Sequence, residues 1–151
     1  MDRGKPGSTL HLLSEAAGLP LVVGLSAADV HDSRWLKPMV LALRLRPSPV
    51  RGRYRKIGKL CADTAYDHPE PRRWLRGKRI GVRIARKGLE SSRRLGRHRW
   101  VIGRTISWLF GYRRLPPWYE RHPYAYLAFL TLAAAMTCHE RHPKLTMQDT
   151  L

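Results

Sequence analysis

Residues Leu95 to Leu115, LGRHRWVIGRTISWLFGYRRL, set arginines against apolar side chains at the spacing of a helix face. Such a helix must bury its apolar stripe, while its arginines need water or an anion. Upstream, Leu60 to Asp67, LCADTAYD, is an apolar run that ends in a carboxylate, Asp63. The first segment demands a core to pack on. The second suggests where a polar site opens beside that core.

The other elements follow from periodicity and punctuation. Thr9–Ser14 and Leu21–Ser26 are short apolar runs joined through Gly18 and Pro20, a hairpin pattern with a link rather long for a tight turn. A helix is expected from Asp32 or Ser33, either of which is a good N-cap, with Trp35, Met39, Val40 and Leu43 on one face. Leu45 to Gly58 holds two prolines and a run of arginines and reads as a basic loop. Leu60–Ala65 reads as a strand, Pro69 and Pro71 open a short helix through Trp74 and Leu75, and Gly81–Ala85 is a further strand. Lys87–Gly96 reads as a loop, Arg97–Tyr112 as the arginine helix stopped by Pro116 and Pro117, and Pro123–Arg141 as a helix so apolar all round that it should be largely buried. Strands mixed with helices place the fold in the α/β or α+β class. The chain divides into one domain over 1–142 and a frayed tail over 143–151.

The charge balance is one-signed. Lys and Arg number 29 against 11 Asp and Glu, a formal +18, which repels itself unless a polyanion shares the surface. Arginine suits planar, bidentate contacts to phosphate, so nucleic acid is the expected partner. Tyr54, Trp74, Trp100, Trp108 and Trp118 interleave with the arginine runs. Base stacking is one role for them; core packing is the expected role of Trp74, Trp100 and Trp108, which fall at apolar helical positions. The charged N-terminus lacks a secretory apolar region, and Tyr124–Cys138 is shorter than the roughly 20 residues of a membrane span. A cytoplasmic, nucleoid-associated protein with no membrane partner is expected. Cys61 and Cys138 lie far apart in apolar stretches, as two reduced thiols would.

Asp63 has two readings: a carboxylate delivered to a site by a strand end, or a cap on the turn that follows. Asp29, His31 and Asp32 form a polar turn before a helix rather than a metal cluster, and His139 and His142 do not make a zinc motif. No phosphate-binding glycine loop and no nucleophile triad can be read from the spacing.

Seven ordered stretches resemble one family: DRGKPGS (2–8), GLPLVVGLSAADVHDS (18–33), KLCADTAYD (59–67), RRWLRGKRIGVRIARKG (72–88), LGRHRWVIGRT (95–105), GYRRL (111–115) and YERHPYAYLAFLTLAAA (119–135). Together they resemble the C-terminal part of the DDE transposases of bacterial insertion sequences, closest to actinobacterial-type members with a downstream reading frame. The resemblance implies a ribonuclease H-like mixed sheet flanked by helices, here lacking its first, central strand. It also implies three carboxylates holding two Mg²⁺ ions for hydrolysis and strand transfer at a DNA phosphodiester.

Residue by residue, Asp63 matches the second acid and thus a metal ligand. The third, a glutamate four residues after an arginine, falls four after Arg99, on Gly103. The first acid is expected on a strand before DRGKPGS. Asp67 is not placed to substitute, and Thr9 and Pro116-Pro117 also depart from the family pattern. Arg99 and Arg104 are the expected contacts to scissile or flanking phosphates, with Arg113 and Arg114 as further ones or simply as arginines favoured near a helix C-terminus. The expectation is a transposase-family DNA-binding protein with an incomplete DDE centre, which alone is marginally stable, aggregation-prone, or completed by an upstream-frame polypeptide or a full-length transposase. The alternative is a basic DNA-binding module without chemistry that modulates such a transposase.

Overall fold

The computed structural model describes residues 7–46, 56–86, 92–113, 115 and 122–148, with side chains over 7–46, 56–86, 100–113, 115 and 122–142. It divides into two compact units, one of Met1–Ala27 with Trp100–Leu151, the other of Ala28–Arg99. The architecture is mixed α/β, with four α-helices and two small sheets.

In the first unit, strands β1 (Ser8–Ser14) and β2 (Pro20–Ala27) pair antiparallel, Leu10 opposite Leu25 and Leu12 opposite Val23. The link is longer than a two-residue turn, and Gly18 absorbs the reversal at φ +91°, a conformation a Cβ would oppose. Helix α3 (Ser92–Phe110), from Trp100 onward, and helix α4 (Pro123–Gln148) supply the rest. Leu109, Leu115, Leu130, Ala133 and Ala134 form the core, and Leu10, Leu12, Val23 and Leu25 pack against it. On β2, the Cys138 thiol of α4 meets the Pro20 carbonyl at 3.3 Å.

The expected all-round burial of α4 does not hold. Leu130, Ala133, Ala134 and Thr137 are buried at helical spacing, while Tyr124, Leu132 and Met136 lie on the exposed side, Tyr124 at 87%. Alanines and threonine made the sequence look uniformly apolar, but only one stripe faces the core. The helix also runs on to Gln148, past the expected end at Arg141, since Pro143 falls within a helix already under way.

In the second unit, α1 (Ser33–Leu45) buries Leu36, Met39, Val40 and Leu43. Leu36 takes the central place expected of Trp35, which is only half-buried. Asp32 makes no side-chain cap. His31 Nδ1 instead accepts from the Ser33 amide at 3.2 Å. Strands β3 (Lys59–Ala62) and β4 (Gly81–Ile84) pair in parallel, Leu60 beside Val82, joined by α2 (Pro69–Gly77). Parallel neighbours require such a crossover. Leu75 on α2 is fully buried, as are Leu60, Ile80, Ile84 and Ala85 almost entirely.

Two boundaries differ from the sequence expectation. β3 stops at Ala62 rather than Ala65, because Thr64–Tyr66 curls into a 3₁₀ turn. α3 starts at Ser92, within the stretch expected to be a loop, because serine and arginine there continue the helix that the apolar stripe begins. Cys61, expected in apolar surroundings, is exposed on β3. Residues 47–55, 87–91 and 116–121, including Tyr54, Trp118 and the expected proline stop, lie outside the described residues.

Candidate functional site

β3 ends by handing the chain to Asp63. Its backbone stays extended, and its Oδ1 accepts from the Thr64 amide at 2.6 Å and the Thr64 hydroxyl at 3.2 Å. The capping reading is therefore realised: Asp63 caps the 3₁₀ turn, and it does so at the C-terminal edge of two parallel strands, where α/β folds open their sites. The Ala85 amide donates to the Ala62 carbonyl at 3.0 Å, carrying the ladder up to that edge.

Beside it stands a pair that sequence reasoning missed. The Tyr66 phenol is pushed up to about 12, first by burial and then by the carboxylates of Asp32 and Asp63. Asp32, read from sequence as part of a polar turn, thus directs its charge at the same phenol as Asp63. The signal was present in HDS preceding an apolar helix, but nothing in its spacing joins residue 32 to residue 66.

Arg72 braces the edge from α2. Its Nε and Nη2 donate to Asp67 Oδ1 at 2.9 and 2.7 Å, and Nη2 also donates to the Ile84 carbonyl at 2.8 Å. One guanidinium thereby ties α2, the end of β4 and the segment after the 3₁₀ turn, with both partners mostly buried. Around this unit, Arg73, Arg76, Lys78, Arg79, Arg83 and Arg86 are exposed, all from arginine runs noted in the sequence.

On α3, in the other unit, Gly103 is exposed and a Cβ built there meets nothing within 4 Å. Arg104, the next residue, is half-buried. Its guanidinium lies 4.3 Å from the Trp100 ring centre and 4.9 Å from that of Trp108, and Nη2 donates to the Ala17 carbonyl at 2.5 Å. Arg113 is exposed just past the helix. The side chain of Arg99 and all of Arg114 lie outside the described residues.

These donors do not suit a pair of Mg²⁺ ions, which need several hard oxygen ligands. Asp63 Oδ1 is engaged by Thr64, Gly103 offers no donor, and among the described residues no three His, Cys, Asp or Glu side chains gather as a metal site would require. No described helix is long and apolar enough to cross a membrane.

Comparison with known proteins gives the family. The family described as "Transposase DDE domain" matches residues 2–138. A Burkholderia cepacia protein, described as a candidate transposase for insertion sequence element IS402, is 36% identical over 141 residues. That match takes in 91% of this chain but 65% of the relative, so the chain spans less than two thirds of its length. No solved structure gives a match. The match across nearly the whole chain, with Asp63 and Gly103 inside it, establishes that this chain belongs to the DDE transposase domain family of insertion sequence elements.

Proposed function

We propose that this chain is a transposase-family DNA-binding protein whose DDE centre is incomplete, so that it does not by itself carry out the family's metal-dependent phosphodiester hydrolysis and strand transfer. One observation supports the reading: Gly103, which the resemblance matches to the family's glutamate, is an exposed helical glycine with open space where a Cβ would go. Asp63, at the C-terminal edge of β3, is the matching second acid. The parallel β3–α2–β4 unit, with its acid at the strand ends, is what part of a ribonuclease H-like sheet would supply. Its DNA would be contacted by the exposed Arg113, and by Arg99, Arg104 and Arg114 as the family pattern suggests.

A nicking and strand-transfer assay with Mg²⁺ or Mn²⁺ tests this. Wild type and Asp63→Ala should be equally inert while both bind DNA with a steep salt dependence. Metal-dependent cleavage by wild type that Asp63→Ala abolishes would overturn the proposal.

A second reading, a basic module that modulates a full-length transposase by mixed assembly, is favoured by the exposed Arg73, Arg76, Lys78, Arg79, Arg83 and Arg86. Six exposed cations on one small unit offer a sequence-independent DNA surface. It predicts binding indifferent to Mg²⁺ and to Asp63, and inhibition of an active transposase when the two are mixed.

A further inference from the structure

Trp100 departs from its expected place in the core: it is 61% exposed. It is also the outer member of an alternating stack. The Arg104 guanidinium lies 4.3 Å from its ring centre and 4.9 Å from that of Trp108, and Arg141 of α4 lies 5.0 Å from Trp108. Trp100, Arg104 and Trp108 follow at intervals of four residues on α3, the spacing that lets side chains meet along a helix. Arg104 is further pinned by its hydrogen bond to the Ala17 carbonyl.

A large apolar ring left in water is costly, and a fixed one is unusual. Here the guanidinium supports one side of the indole and leaves most of the residue to solvent. The result is a preformed aromatic surface backed by positive charge, in a chain of formal charge +18. That is the combination on which an unpaired nucleobase stacks while its phosphates meet cations.

We propose that Trp100, held by Arg104, is a stacking platform for an unpaired base of a DNA strand. This deepens the DNA-binding reading above and rests on it. Because the platform is already ordered, binding does not have to immobilise the side chain first. Because stacking reads a π face, it is tolerant of sequence. A blunt duplex, whose bases are already stacked, gains nothing from it.

The test uses the full chain with a single-stranded oligonucleotide, a duplex carrying an unpaired overhang and a blunt duplex, measured by fluorescence anisotropy and by quenching of tryptophan emission. Trp100→Leu should weaken the single strand and the overhang about tenfold, leave the blunt duplex unchanged, and keep the salt slope, since no phosphate contact is lost. Trp100→Phe should retain most of the affinity. Quenching by the single strand should fall in Trp100→Leu although four tryptophans remain of the original five. Equal affinity and equal quenching in wild type and Trp100→Leu, under conditions where wild type binds, would overturn the platform and leave the DNA-binding reading standing. Equal losses for Trp100→Leu and Trp100→Phe, or a change in sedimentation in place of a change in binding, would also overturn it. Absence of salt-dependent binding to any of the three DNAs would overturn the DNA-binding reading, and the platform with it.

Discussion

The Thr105 hydroxyl lies 2.6 Å from the Gly18 carbonyl oxygen and 2.9 Å from that of Val101, so a single proton fastens α3 to the β1–β2 reversal or to its own helix. Thr105 is fully buried, and Gly18 can approach it because it has no Cβ: one built there would stand 3.0 Å from the Thr105 oxygen. Thr105→Val keeps the shape and removes the proton, leaving the Gly18 carbonyl unmatched at a cost of about 1–3 kcal/mol. Gly18→Ala forces both a left-handed alanine and a close contact, for about 1–2 kcal/mol. Thr105→Ser, which keeps the hydroxyl, should be much milder than Thr105→Val. Denaturant unfolding of the three variants measures this, and the first two should be non-additive because they share one contact. Additive losses would mean that the contact does not join the two segments.

Gly103 offers the opposite case. It is a helical glycine on an exposed face with open space where a Cβ would go. Nothing in the fold requires its conformational freedom. Gly103→Ala should therefore stabilise the chain by up to about 1 kcal/mol through helix propensity alone. Gly103→Glu should also be tolerated and mildly stabilising, since an acid in a chain of +18 relieves self-repulsion. A loss of stability in Gly103→Ala, measured by thermal unfolding, would show that a neighbour occupies that space.

The Tyr66 phenol gives a pH signature. Its folded value is raised to about 12 from 10.0, mainly by burial and then by the charges of Asp32 and Asp63. Below pH 10 both folded and unfolded chains hold the proton, and the group contributes no slope. Between 10 and 12 the unfolded chain loses its proton while the folded chain keeps it, so stability falls as pH rises. After discounting for partial exposure, the swing is about 1–2 kcal/mol. Tyr66→Phe should remove that part of the alkaline decline and delete a late phase from the phenolate absorbance titration. Tyr126, also raised by burial, should keep its own late ionisation in the variant. Identical alkaline titrations of wild type and Tyr66→Phe would refute the buried environment assigned to Tyr66.

The elements legible in the sequence were those with a clean period or a hard stop. Strand alternation at Leu10–Leu12 and Val22–Leu25, the Gly18 reversal, and Pro69 at the start of α2 all announce themselves locally. The place of Asp63 was legible for the same reason, since an apolar run ending in a carboxylate marks a strand end, while its capping role was one of two readings until the Thr64 bonds decided it. What was not legible depended on contacts distant in sequence. Trp100 looks like a core residue on α3 but stands exposed against the Arg104 guanidinium, and α4 looks buried all round until β2 is seen to cover only one side. The charge of Asp32 bears on Tyr66 because α1 packs beside the 3₁₀ turn, a relation that no spacing rule contains. The same holds for Arg72, which in sequence is one more arginine in a basic run.

Arg72 yields the last prediction. Its guanidinium makes two bonds to Asp67 and one to the Ile84 carbonyl, and the two side chains are only 15% and 21% exposed. A pair this sheltered lies between a surface ion pair, worth about 0–1 kcal/mol, and a buried one, whose breaking costs about 3–5 kcal/mol. Arg72→Ala should therefore cost about 2–3 kcal/mol. Arg72→Lys should recover only part of this, because an ammonium cannot span a carboxylate and a carbonyl with a planar fork. The loss should also be local. Asp67 follows the turn whose Tyr66 amide bonds to the Asp63 carbonyl at 3.1 Å, and whose Asp67 amide bonds to that of Thr64 at 3.0 Å. Removing Arg72 should raise amide exchange at Tyr66 and Asp67 more than in α1, loosening the segment that holds the Asp63 carboxylate. Uniform acceleration across the unit would mean that Arg72 supports the whole domain rather than the edge on which Asp63 stands.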